Sequence, residues 1–238
     1  MSMLRLDKFL ADMGKGTRSE LKRELKKGLV TVNGKTEKSP ERKIDPETDQ
    51  VAYRGEPVCY EKFFYYMLNK PPGFVSATED RRERTVMELM KGASGKGLFP
   101  VGRLDKDTEG LLLITNDGEL AHRLLHPGRH VDKVYMAELA GPVTEEMIRL
   151  FAEGLDIGDD KPALPARLVV LENGPRARTE ITICEGRYHQ VKRMAEAVGS
   201  RVLSLKRLSM GPLKLDENLP AGHYRPLTQE ERQELGTG

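Results

Sequence analysis

The N-terminal part of the chain opens with a helical pattern of apolar and polar positions. Apolar side chains recur three or four residues apart at Leu4, Leu6, Phe9, Leu10 and Met13. This spacing predicts a helix, and Gly14 follows it as a C-cap. A second helix is predicted to begin at Thr17 or Ser19, whose hydroxyl can cap the first turn, and to end at Gly28.

The pattern then changes to that of short strands. Residues 29–32 read Leu-Val-Thr-Val and precede Asn33-Gly34, the strongest short-range signal for a hairpin. A polar stretch over 39–49 leads to a predicted strand at 50–53 and a turn at 55–57. We place a domain boundary near Tyr60, which gives predicted domains of residues 1–60 and 61–238.

Beyond residue 60, the patterns predict more strands than helices. The predicted strands cover 63–68, 110–114, 134–139, 166–171, 178–184 and 201–205. The predicted helices cover 85–90, 119–125, 144–151 with Thr144 as N-cap, and 189–198. Because strands and helices do not alternate regularly, the pattern predicts an α+β fold with a mixed or mostly antiparallel sheet.

Charge is unevenly distributed along the chain. The formal net charge is only +2, but residues 15–43 carry ten basic and four acidic side chains, a local charge of +6. The second predicted helix holds five of the basic side chains, at Arg18, Lys22, Arg23, Lys26 and Lys27. Such a patch is suited to binding a polyanion, although charge alone is equally compatible with a solvated helix face.

Several function classes find no support in the composition. No apolar run approaches the roughly 18 to 20 residues that cross a bilayer, and the polar start lacks a signal peptide's apolar stretch, so we expect a cytoplasmic protein. Cys59 and Cys184 do not have metal-site or redox-pair spacing. His122, His126 and His130 are four residues apart, but Pro127 interrupts the helix and no further ligand completes a set. We predict neither a metal nor a cofactor.

The N-terminal motifs resemble a known family. The run Arg5-Leu6-Asp7-Lys8-Phe9-Leu10, the basic helix and the 29–34 hairpin together resemble an S4 RNA-binding domain over about residues 3–55. The resemblance implies that the basic helix docks against structured RNA. The candidate RNA-binding residues of this part are Arg5, Lys8, Arg18, Lys22, Arg23, Lys26 and Lys27.

The second distinctive stretch is Gly102-Arg103-Leu104-Asp105-Lys106-Asp107-Thr108-Glu109-Gly110, a polar loop directly before a predicted buried strand. Loops anchored on rigid strands often carry catalytic groups. From its local sequence alone, Asp105 is better suited to an Asx turn, in which its side chain bonds the nearby backbone.

This loop resembles the signature of the pseudouridine synthases, whose Gly-Arg-Leu-Asp aspartate is the indispensable catalytic residue. Three further segments resemble that family in order: Asn69-Lys70-Pro71-Pro72-Gly73, Lys133-Val134-Tyr135, and residues 185–194. With the S4-like part in front, nearly the whole chain resembles the branch that modifies small-subunit ribosomal RNA. The resemblance implies an isomerase that converts a specific uridine to pseudouridine, with ribosomal RNA or an assembling subunit as its partner. We expect it to act as a monomer.

The chemistry of that reaction gives candidate roles to individual residues. A carboxylate at Asp105 can stabilise positive charge on the ribose or bond to the substrate covalently. Lys192 is the candidate cation that keeps it ionised, with Arg193 as the alternative. The resemblance gives Tyr135 an active-site role, and its ring and hydroxyl suit base stacking or proton relay. The remaining candidates for RNA contact are Arg103, Arg187, His189, Gln190 and Arg193.

Each of these candidates also has a structural alternative. Lys192 and Arg193 would suit an exposed basic helix, Tyr135 could pack in a half-buried strand, and Arg103 could pair with a neighbouring carboxylate. Three other functions remain open: the same chemistry on large-subunit RNA, a non-catalytic S4 adaptor, and a glycosidase that pairs Asp105 with Asp107 or Glu109. The absence of tryptophan makes the glycosidase a poorer fit.

Overall fold

The computed structural model describes residues 3–237 and divides the chain into two compact units. The first extends to Phe64 and also includes Lys91–Leu98. The second comprises Tyr65–Met90 and the chain from Phe99 onward. This division differs from the predicted boundary near Tyr60, because the first unit takes in a second, distant segment.

The first unit begins with two short helices. Strand β1 (Leu4–Arg5) leads into α1 (Leu6–Asp12), so Leu4 lies outside the predicted helix. Helix α2 (Arg18–Lys26) is capped by Thr17. The Thr17 hydroxyl accepts from the Glu20 backbone while the Glu20 carboxylate accepts from the Thr17 backbone, a reciprocal capping box. Two helices are therefore confirmed, and Thr17 is the N-cap.

Short strands complete this unit. They are β2 (Val30–Val32), β3 (Lys35–Thr36), β4 (Lys43–Ile44), β5 (Val51–Tyr53) and β6 (Glu56–Val58). Strands β1 and β4 pair, while the others form a sheet in the order β3-β2-β5-β6. The predicted hairpin joins β2 to β3, and Asn33 and Gly34 both have positive φ, as a two-residue type I′ turn requires.

The core of the first unit is built from both helices and the sheet. Leu6, Phe9 and Leu10 of α1 pack with Leu21 and Leu25 of α2, and all five are 0–1% exposed. Burying these apolar faces is the main stabilisation that such short helices have available.

The segment Lys91–Leu98 contacts α1 and its C-terminal turn. Lys96 pairs with Asp12 at 2.8 Å, and the Gly95 amide donates to the Asp12 carbonyl at 3.2 Å. A Cβ on Gly14 would lie 2.1 Å from the Ser94 hydroxyl. Glycine at position 14 therefore permits this close approach as well as the positive φ at the helix end.

The second unit is built on one large sheet. Its strands are β7 (Tyr65–Lys70), β8 (Phe99–Pro100), β9 (Glu109–Thr115), β10 (Lys133–Ala140), β11 (Arg167–Glu172), β12 (Arg176–Ile183), β13 (Val202–Met210), β14 (Leu213–Lys214) and β15 (Tyr224–Pro226). The strand order is β11-β12-β10-β13-β9-β7-β15, with β14 on β13 and β8 on β9. The β13–β9 pair is parallel and the other recorded pairs are antiparallel, so the predicted mixed sheet is confirmed.

Helices α3 (Gly118–Leu125), α4 (Glu145–Glu153), α5 (Gln190–Ala197) and α6 (Gln229–Glu234) connect or follow these strands. Thr144 caps α4 as predicted, while the predicted helix at 85–90 is a 3-10 helix over Val86–Met90. Strand β13 extends well beyond the predicted 201–205 because it pairs with both β10 and β9. In this unit, the patterns did not identify β8, β14, β15 or α6. Within residues 3–237, no helix has the length and apolarity needed to span a membrane.

The parallel pairing of β9 with β13 fixes where the loop before β9 ends. Gly110 lies opposite Arg207, and a Cβ on Gly110 would lie 2.2 Å from the Arg207 carbonyl oxygen. Only glycine allows this approach without moving the backbone. The loop carrying Asp105 is thereby attached to the centre of the sheet.

Candidate active site

A cavity of about 800 Å³ lies in the second unit. Its walls come from the loop before β9, the strands β10 and β13, and the loop and helix around α5. Asp105, Tyr135 and Lys192, the three residues predicted to carry the chemistry, all line it. A cavity lined by converging polar groups and apolar side chains is the usual form of an enzyme site.

Lys70, at the end of β7, holds the backbone of the Asp105 loop by hydrogen bonds. Its ammonium is fully buried and donates to the carbonyl oxygens of Asp105 at 3.0 Å, Thr108 at 2.8 Å, Lys106 at 3.3 Å and Pro71 at 3.2 Å. Burial lowers the pKa of Lys70 to about 8. A buried cation directed at these carbonyl groups holds the backbone rather than the carboxylate of Asp105.

Further hydrogen bonds fix the same loop. The Ser76 hydroxyl donates to the Leu104 carbonyl at 2.9 Å and accepts from the Leu104 amide at 3.0 Å. The Thr108 amide donates to the Asp105 carbonyl at 3.1 Å, and the Gly73 amide donates to the Lys106 carbonyl at 2.7 Å. Asp105 thus stands on a backbone that is bonded on both sides, so its carboxylate is pre-positioned.

The carboxylate of Asp105 faces two potential cations from the start of α5. The Lys192 Nζ lies 3.1 Å from Asp105 Oδ2, and the His189 Nε2 lies 3.5 Å from Asp105 Oδ1. Lys192 also donates to Asp107 Oδ1 at 2.6 Å. Lys192 therefore bridges two carboxylates, of which Asp105 is 24% exposed and Asp107 is 72% exposed.

Lys192 and Asp107 stabilise each other's charged form. Partial burial opposes the charge of Lys192, but its hydrogen bonds to Asp107 and Asp105 raise the pKa of its ammonium. The same ammonium, by its hydrogen bond, lowers the pKa of Asp107. Both groups are consequently charged at neutral pH. Between the two predicted partners of Asp105, the geometry selects Lys192, because Arg193 instead pairs with Asp159 at 2.7 Å.

Tyr135 and Arg207 lie opposite each other on β10 and β13. Both line the cavity, and both are buried, at 7% and 2% exposed. Arg207 donates through Nε to the Leu111 carbonyl on β9 at 2.8 Å, which ties the two strands together. Tyr135 is thus held on a rigid part of the sheet.

Three of the predicted RNA-binding residues use their polar groups on the protein itself. Arg187 donates to the Lys161 and Pro162 carbonyls at 2.6 and 2.8 Å and pairs with Glu185 at 3.0 Å. Gln190 is 3% exposed and exchanges hydrogen bonds with the Arg187 amide and the Glu185 carboxylate. Arg193 donates to the Ile157 carbonyl at 2.9 Å as well as to Asp159. These contacts shape the wall that carries His189 and Lys192.

Arg103 is exposed and lines the cavity. In the first unit, the predicted RNA-binding side chains divide into two sets. Exposed side chains are found at Lys8, Lys22, Arg23, Lys26 and Lys27. Arg5 and Arg18 instead pair with the fully buried Asp7, at 3.1 and 2.9 Å. Burial by itself would raise the pKa of Asp7, but the hydrogen bonds from these two arginines hold it below its ordinary value.

Sequence reasoning assigned no role to Lys70 or Ser76 and did not anticipate the contact between Asp107 and Lys192. Lys70 does lie within the Asn69-Lys70-Pro71-Pro72-Gly73 motif, which was the available signal. Ser76 gives no pattern by which its bonds to Leu104 could be anticipated. Asp107 was considered only as a second carboxylate for a glycosidase, whereas the structure places it on Lys192.

Comparison with known proteins matches both units to family models. Residues 64–197 match the family described as RNA pseudouridylate synthase, and residues 4–51 match the S4 domain. A solved structure described as a pseudouridylate synthase superposes with a TM-score of 0.68 at 40% identity, covering 98% of this chain and 99% of its own.

Curated relatives extend over almost the full length. An uncharacterized RNA pseudouridine synthase of Bacillus subtilis is 48% identical over 96% of each chain. The ribosomal small subunit pseudouridine synthase A of Yersinia pestis is 42% identical over 98% of each chain. The enzyme of that name from Escherichia coli K12 is 41% identical over 96% of this chain and 98% of its own. The predicted S4-like and pseudouridine synthase parts are confirmed, and the chain belongs to the RNA pseudouridylate synthase family.

Proposed function

We propose that this enzyme converts a specific uridine of small-subunit ribosomal RNA to pseudouridine, with Asp105 as the catalytic carboxylate. The observation that carries the proposal is the pairing of Asp105 with Lys192 inside the cavity, 3.1 Å apart, on a loop fixed by Lys70. The relatives named as small-subunit pseudouridine synthases, at about 40% identity over nearly the whole chain, support this choice of RNA.

The reaction exchanges one glycosidic bond for another. The bond from uracil N1 to ribose C1′ breaks, the base rotates, and a bond from C5 to C1′ forms. The proton on C5 leaves to solvent and N1 gains one, so no oxidant or reductant is consumed. Asp105 acts on the flipped-out nucleotide, where its carboxylate stabilises the developing positive charge or forms a transient bond.

Lys192 and Tyr135 have different parts in this scheme. Lys192 holds the Asp105 carboxylate in its orientation through the ion pair at 3.1 Å. Tyr135 lies on the buried floor of the cavity, where its ring can contact the uracil and its hydroxyl can pass a proton. Arg103, exposed on the Asp105 loop, is suited to phosphate or to the space that the flipped nucleotide leaves.

The two arginines and the glutamine near α5 have a different role in this proposal from the RNA contact that the sequence suggested. Because Arg187, Gln190 and Arg193 bond carbonyl and carboxylate groups of the protein, we assign them to positioning His189 and Lys192. His189, which lines the cavity 3.5 Å from Asp105, remains a candidate contact for RNA.

The first unit supplies RNA affinity in this proposal. Its exposed lysines and arginine on α2, together with Lys8 on α1, form a surface that we call the basic face: Lys8, Lys22, Arg23, Lys26 and Lys27. Clustered cations on a helix attract phosphates and release condensed counterions on binding. Arg5 and Arg18 add charge nearby while holding Asp7.

Tritium release tests the reaction and the choice of RNA together. Small-subunit and large-subunit ribosomal RNA, each labelled with tritium at uridine C5, are incubated with wild-type enzyme and with Asp105→Asn. We expect stoichiometric release from small-subunit RNA with wild type and none with Asp105→Asn. Release from large-subunit RNA alone would overturn the target, and an absence of release from both RNAs and from subunit precursors would overturn the activity.

A further inference from the structure

The structure also points to a stacking site for a second nucleobase. We propose that the open face of Tyr188 stacks on a base directly adjacent to the target uridine in the RNA, on its 5′ or its 3′ side. The contact forms when that uridine enters the cavity. This inference rests on the proposed function, because it assumes that an RNA uridine is the group that reaches Asp105. Tyr188 lines the same cavity as Asp105.

Tyr188 is exposed far beyond what an aromatic ring normally shows to water. Among the described residues 3–237, five large apolar side chains are exposed, and Tyr188, at 75%, is the most exposed of them. Isolated exposed apolar groups are common on protein surfaces, but this one lies at a functional cavity. Its position favours contact with an incoming ligand.

One face of the ring is already covered. The Tyr188 and His189 rings stack with centroids 3.8 Å apart and planes inclined by 18°. His189 in turn lies 3.5 Å from the Asp105 carboxylate. The two rings therefore form a short stack that begins beside the reacting carboxylate and ends on the outer face of Tyr188. A flat, unsaturated group placed on that face would continue the stack.

The backbone holds this stack in place although the Tyr188 side chain is exposed. The Arg193 Nε donates to the Tyr188 carbonyl at 2.9 Å. The Arg187 amide donates to the Gln190 side chain at 2.9 Å, which closes the turn on the other side of Tyr188. His189 itself has left-handed backbone angles, φ 48° and ψ 34°, a conformation that few non-glycine residues adopt. A ring fixed in advance loses little entropy when a base stacks on it.

A nucleobase is the occupant that best fits these surroundings. Flipping a uridine out of an RNA stack removes one stacking partner from each neighbouring base, and an aromatic side chain can replace that partner. Stacking of this kind tolerates any base, since every base has a π face. The exposed Arg103, which lines the same cavity, supplies a cation for the adjoining phosphates. Tyr188 is accordingly a positioning residue, which does not touch the reacting atoms.

Fluorescence of 2-aminopurine tests the contact directly. The probe replaces the base on the 5′ or the 3′ side of the target uridine, in a fragment that wild type modifies. Binding is measured in the Asp105→Asn background, so that no turnover occurs. We expect quenching beyond that of the free RNA at one of the two positions. Adding Tyr188→Ala should remove that quenching and weaken binding by about 5- to 150-fold, the range of one lost base–aromatic stack.

Two further variants separate stacking from other effects. Tyr188→Phe keeps the ring and should retain both quenching and affinity within about twofold. Leu171→Ala removes another exposed apolar side chain, on β11, which does not line the cavity, and should change neither reading. Unchanged quenching in Tyr188→Ala would overturn the inference. So would a loss in Tyr188→Phe equal to that in Tyr188→Ala, because the hydroxyl would then be the important group.

The result remains distinguishable from a failure of the proposed function. If wild type releases tritium from small-subunit RNA and Tyr188→Ala leaves the quenching unchanged, only the stacking site is wrong. If wild type releases no tritium from any ribosomal RNA or precursor, the proposed function fails first and the stacking site fails with it.

Discussion

Lys70 donates a hydrogen bond to the backbone carbonyl of Asp105 at 3.0 Å, although the two residues are 35 positions apart. Lys70 ends β7, and Asp105 precedes its neighbour β9, so the pairing of these strands brings them together. The carboxylate is left free to face Lys192 and His189. The backbone and the carboxylate of Asp105 are therefore held by two different lysines, Lys70 and Lys192.

The two carboxylates on Lys192 should respond differently to substitution. Asp105→Asn keeps the side-chain shape but removes the reactive charge, so we expect turnover to disappear while RNA affinity stays within about threefold of wild type. Asp107→Asn is the matched control: Asp107 is mostly exposed, and its loss leaves the Lys192 pair with Asp105 intact. We expect it to retain at least about a tenth of the single-turnover rate. The measurement is single-turnover tritium release with a parallel binding assay.

Appreciable turnover by Asp105→Asn, in a preparation free of wild-type enzyme, would contradict the assignment of Asp105. Equal inactivation by Asp107→Asn would show that the Asp107 carboxylate is itself needed in the reaction.

The pKa of Lys70 predicts a change of stability with pH. In the folded state, burial lowers this pKa from the model-peptide value of 10.5 to about 8, so between these values the unfolded state binds more protons. Stability contributed through this group therefore rises with pH from about 8 to 10.5. Relative to Lys70→Met, wild type should gain up to about 1.4 kcal/mol per pH unit across that window.

The comparison needs urea unfolding of both proteins at several pH values between 7 and 10. A wild-type stability that does not rise relative to Lys70→Met would mean that the ammonium remains protonated, stabilised by its four carbonyl partners.

In the same pH range, the rate of wild type should fall, because a neutral amine has fewer protons to donate to the Asp105 loop. Lys106→Met, which alters an exposed lysine of the same loop, should retain the wild-type pH dependence.

Tyr135→Phe separates the ring from the hydroxyl. The ring is buried on the cavity floor, so the variant should fold normally and bind RNA with at most a modest loss. If the hydroxyl passes a proton during rearrangement, the single-turnover rate should fall by about 100-fold or more. A near-normal rate at saturating RNA would limit Tyr135 to packing.

The sequence predicted three candidate catalytic residues but not the contacts that hold them in place. Asp105, Tyr135 and Lys192 lie within recognisable motifs, and the structure brings all three to one cavity. The bonds from Lys70 and Ser76 join residues from separate segments, and no periodicity or composition predicts such contacts. Lys70 at least lies within a recognisable motif, whereas Ser76 does not.

The charge of a side chain predicted its contacts less reliably than the motifs did. Arg187 and Arg193 look like RNA contacts in sequence because each is a long cation beside the active motif. In the structure their guanidinium groups satisfy carbonyl oxygens and Asp159, which a one-dimensional pattern cannot show. Arg18 presents the same problem in the first unit, where it compensates the buried Asp7. A basic side chain can bind phosphate only if its hydrogen-bond donors are not already used by a buried acceptor of the protein.

The last prediction applies this distinction to α2. Lys22 and Lys26 are exposed members of the basic face, so replacing both by alanine should remove phosphate contacts without loss of stability. Each lost contact should flatten the log–log dependence of RNA affinity on salt by about 0.7 to 0.9 units. Arg18→Ala should change this slope much less, but should lower the free energy of unfolding by about 1 to 2 kcal/mol, because buried Asp7 loses one of two partners.

The measurements are RNA affinity from 50 to 300 mM salt, urea unfolding, and single-turnover rates at saturating RNA. Lys214→Ala, an exposed lysine in the second unit, is the control and should leave the slope unchanged. An unchanged slope in the Lys22, Lys26 double variant would show that the basic face does not meet RNA. A collapsed saturating rate with wild-type affinity would show instead that the first unit helps to organise the active site, because affinity and chemistry would then not be divided between the two units.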